Sequence, residues 1–190
     1  KDKTYNFYEM IEEQARLCLL NIREKDIVFT VRFLDRFPQQ VSGDSIRVAQ
    51  IFQNILSNAC KFTEQGTITL SLHCKMEEGQ VWFDGCVEDT GVGMTKEKLA
   101  QVFTEYVSFS EDMGVEGFGL GLSIVRQLVE MMHGWVRAES DPGKGTRVSF
   151  GFYQKQVPTE ISEPGNIGQE ILKEQSDPQV EEIQPNWVYP

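Results

Sequence analysis

The sequence has no apolar run approaching the about 18 residues that a membrane-spanning helix requires. No basic stretch followed by an apolar segment and a cleavage site opens it. Cations are in the minority: 18 Lys and Arg stand against 29 Asp and Glu, for a formal net charge of −11 and a pI near 4.7. That balance argues against nucleic acid as a partner, because such affinity comes from neutralising phosphates with clustered cations. Cysteine is scarce as well. Cys18, Cys60, Cys74 and Cys86 show no CxxC spacing, so a zinc motif is not expected. Each lies in an apolar-periodic segment, as buried free thiols in a reducing cytoplasm would. Histidine is limited to His73 and His133. The chain begins KDKTYNF, without Met, and reads as a piece of something longer. What is present is 190 residues that are 40 % hydrophobic, enough for one domain with a sizeable core and a tail.

Apolar spacing lays out the elements. Residues 7–25 carry helical periodicity, with Ile11, Ala15, Cys18, Leu19 and Ile22 on one face. IVFTVRF at 27–33 alternates as a strand, and a short extended VSG at 41–43 leads to Asp44, a helix N-cap candidate. GTITLSLHC and QVWFDGCVED are strands that pair most simply as a hairpin across MEEG. TGVGM is a loop and KEKLAQVFTEY a short helix; an acidic, glycine-bearing loop then leads to LGLSIVRQLVEMMH, an amphipathic helix stopped by Gly134. WVRAES and TRVSFGFY are strands around the turn DPGKG. The expected fold is α/β, α+β in kind: a two-layer sandwich with three main helices on one face of a mixed, largely antiparallel sheet. Residues 1–153 form that domain. Residues 154–190 hold five prolines and seven acidic residues against two lysines, and read as a tail or interdomain linker.

Chemistry concentrates in three stretches. In QNILSNACKFT at 53–63, Asn54, Asn58 and Lys61 fall within roughly 60° of one another on a helix. Ile51, Ile55, Ala59 and Phe62 form the opposite, core-facing stripe. Two amides and an ammonium can be an ordinary solvated face; alternatively, amide oxygens complete an octahedral Mg²⁺ shell while Lys61 meets phosphate. In VEDTGVGM at 87–94, Asp89 ends a strand and Gly91 and Gly93 allow a tight turn. This is either a plain strand-to-helix connection or a carboxylate placed to accept a hydrogen bond from an exocyclic amine. In EGFGLGLS at 116–123, three alternating glycines at a helix start suit an anion held by backbone N–H groups and the helix dipole. A dinucleotide GxGxxG fails here, because Leu122 takes the last glycine position and no strand precedes it. GKGT at 143–146 fails as a Walker A motif, because glycine follows the lysine.

The order NxxxNxxKF, DTGVG, FxxY (Phe103 and Tyr106), GFGLGL, GKGT resembles the N, G1, F and G2 boxes of sensor histidine kinases, relatives of gyrase, the mismatch-repair ATPases and certain heat-shock chaperones. The resemblance covers about residues 5–153. It implies a Bergerat-type sandwich binding ATP and Mg²⁺ beneath a lid. By the same resemblance Asn58 is the main metal ligand, Asn54 assists at metal or phosphate, and Lys61 contacts phosphate; these three carry the catalytic role. Phe62 lines the adenine pocket, Asp89 holds the adenine amino group beside Gly91 and Gly93, and Thr146 supports adenine recognition. Met94, Phe103 and Phe118 belong to the same nucleotide set. Gly117, Gly119 and Gly121, with Leu120 and Leu122, form the hinge and helix start under the triphosphate. Hydrolytic members usually carry glutamate at position 54. Asn54 cannot take a proton from water, whereas an imidazole acceptor needs no such base.

The implied partner is a helical dimerisation and phosphoacceptor domain upstream of Lys1, since neither His73 nor His133 has an acceptor context. A receiver domain downstream, as in hybrid kinases, and a response regulator are further implied partners. The isolated domain is expected to be a monomer, the full protein a homodimer, and the location cytoplasmic, with attachment to a membrane sensor outside this segment allowed for. One departure from the pattern stands out: no basic residue lies between Lys98 and Arg126, while Glu105, Glu111, Asp112 and Glu116 do. Either that lid faces solvent, or nucleotide affinity is weak until the helical domain docks. A non-catalytic nucleotide-binding module is the alternative function.

Overall fold

The computed structural model describes residues 2–104, 121–162 and 166–167. Strand β1 (Lys3–Asn6) runs straight into helix α1 (Phe7–Ile22). The Asn6 side chain accepts hydrogen bonds from the N–H groups of Tyr8 and Glu9, so two donors orphaned at the helix start are satisfied. Phe7, Met10, Ile11, Ala15, Cys18, Leu19 and Ile22 recur every three or four residues, and all are buried. The helix stops three residues short of the expected 25. Asp44 caps α2 (Ser45–Phe62) through the Arg47 N–H, as its position before an apolar-periodic run predicts. Ile51, Ile55 and Ala59 are buried, but Phe62, expected on the same stripe, is only half-buried at the helix end.

The expected hairpin is present: from Ile68 to Glu77, β5 (Gln65–Glu77) pairs antiparallel with the whole of β6 (Gln80–Asp89). Beside β5 runs β2 (Asp26–Phe33), the parallel neighbour that makes the sheet mixed. On the other side, β6 pairs antiparallel with β8 (Gly145–Gln156), which also carries β7 (Trp135–Asp141) as a hairpin partner. The short β4 (Gln40–Gly43) links β1 to the end of β8. Alternate residues of β6 (Val81, Phe83, Val87) and β8 (Val148, Phe150, Phe152) are buried beneath the helices. The other face carries Trp82 against Tyr153 and the Glu88–Arg147 ion pair. Helices α1, α2 and α4 (Gly121–Met131) supply the buried layer over that one face, while the short α3 (Lys96–Gln101) contributes no buried residue. Its aromatic centre is Phe7, stacked on Phe83 at 4.2 Å and edge-on to Phe52.

Further features depart from the sequence reading. Helix α4 ends with His133 in the left-handed region (φ 56°). Gly134 serves a different purpose, since a Cβ there would stand 1.9 Å from the Gly151 carbonyl oxygen. The boundary expected at 153 falls inside β8, which continues to Gln156. Beyond it, β9 (Ile161–Ser162) pairs with β3 (Phe37–Pro38), and β10 (Asn166–Ile167) adds to the free edge of β2. Backbone pairing of this kind carries no apolar periodicity to announce it. Cys18 and Cys60 are buried as expected, but Cys74 and Cys86 are only half-buried.

Candidate nucleotide site

The site is built where the last turns of α2 meet the end of β6. Asn54, Asn58 and Lys61 share one partly exposed stripe of α2, opposite the buried one. The first residue of α4 lies against the two amides: a Cβ on Gly121 would be 3.4 Å from Asn58 Nδ2 and 3.7 Å from the Oδ1 atoms of both Asn54 and Asn58. Asn54 Nδ2 is buried and has no hydrogen-bond partner among the described residues. The orphaned amide donor suits a phosphate oxygen, and the two amide oxygens beside it suit a hard cation. Lys61 Nζ lies 5.2 Å from the centroid of the Phe62 ring.

Asp89 closes the other end. Its Oδ1 accepts the N–H of Gly91 at 2.9 Å and that of Thr146 at 3.2 Å. Those two bonds orient the carboxylate and leave Oδ2 for another donor. Burial pushes the carboxyl above its usual 3.8, against the backbone hydrogen bonds from Gly91 and Thr146 that favour its charged form. The loop is locked to α2, since the Val92 N–H donates to the Phe62 carbonyl at 3.1 Å. Gly91 admits this close approach, because a Cβ would meet Phe62 O at 2.3 Å and Thr63 Oγ1 at 2.8 Å. Gly145 does the same for β8. At φ 88° its missing Cβ would stand 1.9 Å from the Asp89 carbonyl oxygen, and this approach delivers the Thr146 N–H.

Not every expected residue shares that pocket. Leu122 is 7 % exposed and belongs to the core, and Phe103 packs against the core from its edge. The space of a Cβ on Gly93 is filled by Asp141 O of the β7–β8 turn. Met94 is held through its backbone N–H by Ser140 Oγ at 2.8 Å. Gly117, Phe118, Gly119 and Leu120, Tyr106 of the FxxY pair, and the acidic lid at 105–120 lie outside the described residues. Three residues escaped the sequence reading. Ser140 joins Met94, the Gly145 carbonyl and the Thr146 hydroxyl. Thr63 is fully buried beside Asp89. Lys25 Nζ donates to the carbonyls of Cys60 and Thr63, at 2.9 Å each, and caps α2. Only NACKFT, with threonine closing the motif, offered a signal for any of them.

Residues 43–156 match the family described as histidine kinase-, DNA gyrase B-, and HSP90-like ATPase. The chain belongs to this family. Its relatives include sensor histidine kinases. It is 36 % identical over 144 residues to the adaptive-response sensory kinase SasA of Thermosynechococcus vestitus, covering 75 % of this chain and 37 % of that protein. It is 30 % identical over 162 residues to the aerobic respiration control sensor protein ArcB of Escherichia coli K12, covering 83 % of this chain and 20 % of ArcB. The chain thus spans well under half of these relatives. Among solved structures it resembles full-length ShkA in complex with AMPPNP, with TM-score 0.68 and 27 % identity over 83 % of this chain and 32 % of that one. It also resembles the mycobacterial sensor histidine kinase MprB, with TM-score 0.65 and 25 % identity over 83 % of this chain and all of that one. The ATPase family and fold expected from the motifs are therefore established.

Proposed function

We propose that this ATPase-family domain binds Mg-ATP and transfers its γ-phosphoryl group to a histidine on a separate helical domain of the same protein. The observation that carries the proposal is the meeting of Asp89 with the end of α2. A carboxylate with one oxygen fixed and one left over stands beside Phe62, on the helix that also presents Asn54, Asn58 and Lys61. In this reading Asp89 Oδ2 accepts the adenine amino group, and Thr146 and Ser140 hold the water-bearing side of the base. Phe62 covers a ring face. Asn58 and Asn54 hold Mg²⁺, and Lys61 contacts phosphate. When bound, the metal neutralises charge on the phosphate oxygens. The chain's own task is positioning, because a neutral imidazole is already the nucleophile and Asn54 offers no base to activate water.

The helical phosphoacceptor domain, a downstream receiver domain and a homodimeric full protein belong to this proposal, as does a cytoplasmic site of action. Hybrid kinases among the relatives support that kind of partner. No helix among the described residues is long and apolar enough to cross a membrane. The kinase names of the relatives favour transfer over a non-catalytic module. The test supplies γ-labelled ATP, Mg²⁺ and a separate phosphoacceptor domain. Acid-labile label on the acceptor histidine is expected, and it is lost with Asn58→Ala. Phosphate release without acceptor, and no labelled histidine, would move the protein to the hydrolytic branch.

A further inference from the structure

Helices α1 and α2 meet along a seam in which two sulfurs face each other. Cys18 lies on the buried stripe of α1 and Cys60 on the last turn of α2; they are 2 % and 3 % exposed. Their Sγ atoms are 2.8 Å apart, and Cys60 Sγ also approaches the Cys18 carbonyl oxygen at 3.8 Å. Even the smaller carbon atoms rest at about 3.5–4.0 Å in ordinary packing, so apolar contact alone does not account for this spacing. Cys60 lies about 200° around α2 from Asn58 and takes no part in the nucleotide site proposed above. Among the described residues no group of three or more His, Cys, Asp or Glu is placed to hold a metal ion. Cys74 and Cys86, by contrast, are half-buried free thiols on the sheet with no sulfur neighbour among the described residues.

We propose that Cys18 and Cys60 are an oxidisable dithiol, a modification site at which a hydroperoxide joins α1 to α2 by a disulfide. Forming the bond brings the sulfurs from 2.8 Å to about 2.05 Å. One sulfur attacks the peroxide, the O–O bond breaks, and the departing hydroxide takes up the proton of that thiol, leaving a sulfenic acid and one water. The second sulfur then attacks the first; its S–H proton and the sulfenic hydroxyl leave together as a second water. Two thiols are oxidised by two electrons and one peroxide is reduced. Because the second sulfur is already in place, the sulfenic acid is resolved before further oxidation. The bond closes the loop between residues 18 and 60 and fastens the last turn of α2, which Lys25 already holds through the Cys60 and Thr63 carbonyls. The inference does not depend on nucleotide binding.

The test treats the reduced 190-residue chain with hydrogen peroxide, alkylates the remaining thiols, and maps peptides without reduction. The expected product is a Cys18–Cys60 linked peptide lighter by two hydrogens and reversed by dithiothreitol. The thermal midpoint of the oxidised chain should lie about 10 °C above that of the reduced chain. Cys18→Ala should remove the linked peptide and let a sulfenic acid be trapped at Cys60, whereas Cys74→Ala with Cys86→Ala should leave the link intact. Recovery of Cys18 and Cys60 fully alkylated after unfolding, from samples in which Cys74 and Cys86 have already oxidised, would overturn the proposal. Pairing with another cysteine would overturn it equally. The wild-type map decides the matter even if the Cys18 variant fails to fold.

Discussion

Asp89 concentrates the chemistry of the proposed site at one residue. Asparagine in its place keeps an oxygen to accept from Gly91 and Thr146 but carries no charge toward an amino group. Asp89→Asn should therefore weaken ATP binding by about ten- to a hundredfold while the fold persists, as titration calorimetry would read. The same substitution reports on pH. Burial raises the folded carboxyl above 3.8, so the folded state holds its proton more tightly than the unfolded chain. Its ionised form thus costs stability above the folded pKa, and that cost disappears as pH falls through the folded value toward 3.8. Urea midpoints should show Asp89→Asn at least as stable as the parent at neutral pH, with its advantage fading below that window. An advantage that grew on acidification would mean that the hydrogen bonds outweigh burial. Gly145→Ala should be severe, costing at least about 2 kcal/mol. The added carbon meets the Asp89 carbonyl in a left-handed backbone position, and chemical denaturation measures the loss.

At the scale of elements, α2 does two tasks with its two faces. The buried face holds the layers together; the other presents the amides and Lys61. At its C-terminal end the Cys60 and Thr63 carbonyls are met by Lys25, whose ammonium also pairs with Glu64. Lys25→Met retains most of the aliphatic stem and removes the cap. We expect a loss of about 1–2 kcal/mol in denaturant unfolding and a several-fold drop in ATP affinity, since the turn bearing Lys61 and Phe62 loosens. Unchanged affinity with lowered stability would confine Lys25 to a structural role.

Over the whole molecule, the sheet brings together segments remote in sequence. Thr146 reaches Asp89 across the β6–β8 pairing, while β9 and β10 attach residues beyond Gln156 to the body. The buried Phe37 lies in the strand that β9 covers. Ending the chain at residue 157 should lower the urea midpoint by an amount equivalent to about 1–2 kcal/mol. Affinity for ATP should stay within about twofold, because β10 joins the sheet three strands from Asp89. A large loss of binding would place the tail in the nucleotide site.

Much of this was legible in the residues. Periodicities of two and of three to four laid out α1, α2, the β5–β6 hairpin and the β7–β8 pair, because burial on one face leaves that imprint on composition. The amide stripe of α2 followed from helical geometry once Asp44 marked its start. Local pattern could not show that Phe62 emerges half-exposed, or that Leu122 turns into the core. Nor could it show that Ser140 ties Met94 to the Gly145–Thr146 turn, that Lys25 holds the Cys60 and Thr63 carbonyls, or that β9 and β10 pair with β3 and β2. Those outcomes depend on which segments lie side by side. Contacts between them are made by carbonyls, hydroxyls and missing Cβ atoms that carry no periodic signature, so only the folded chain decides them.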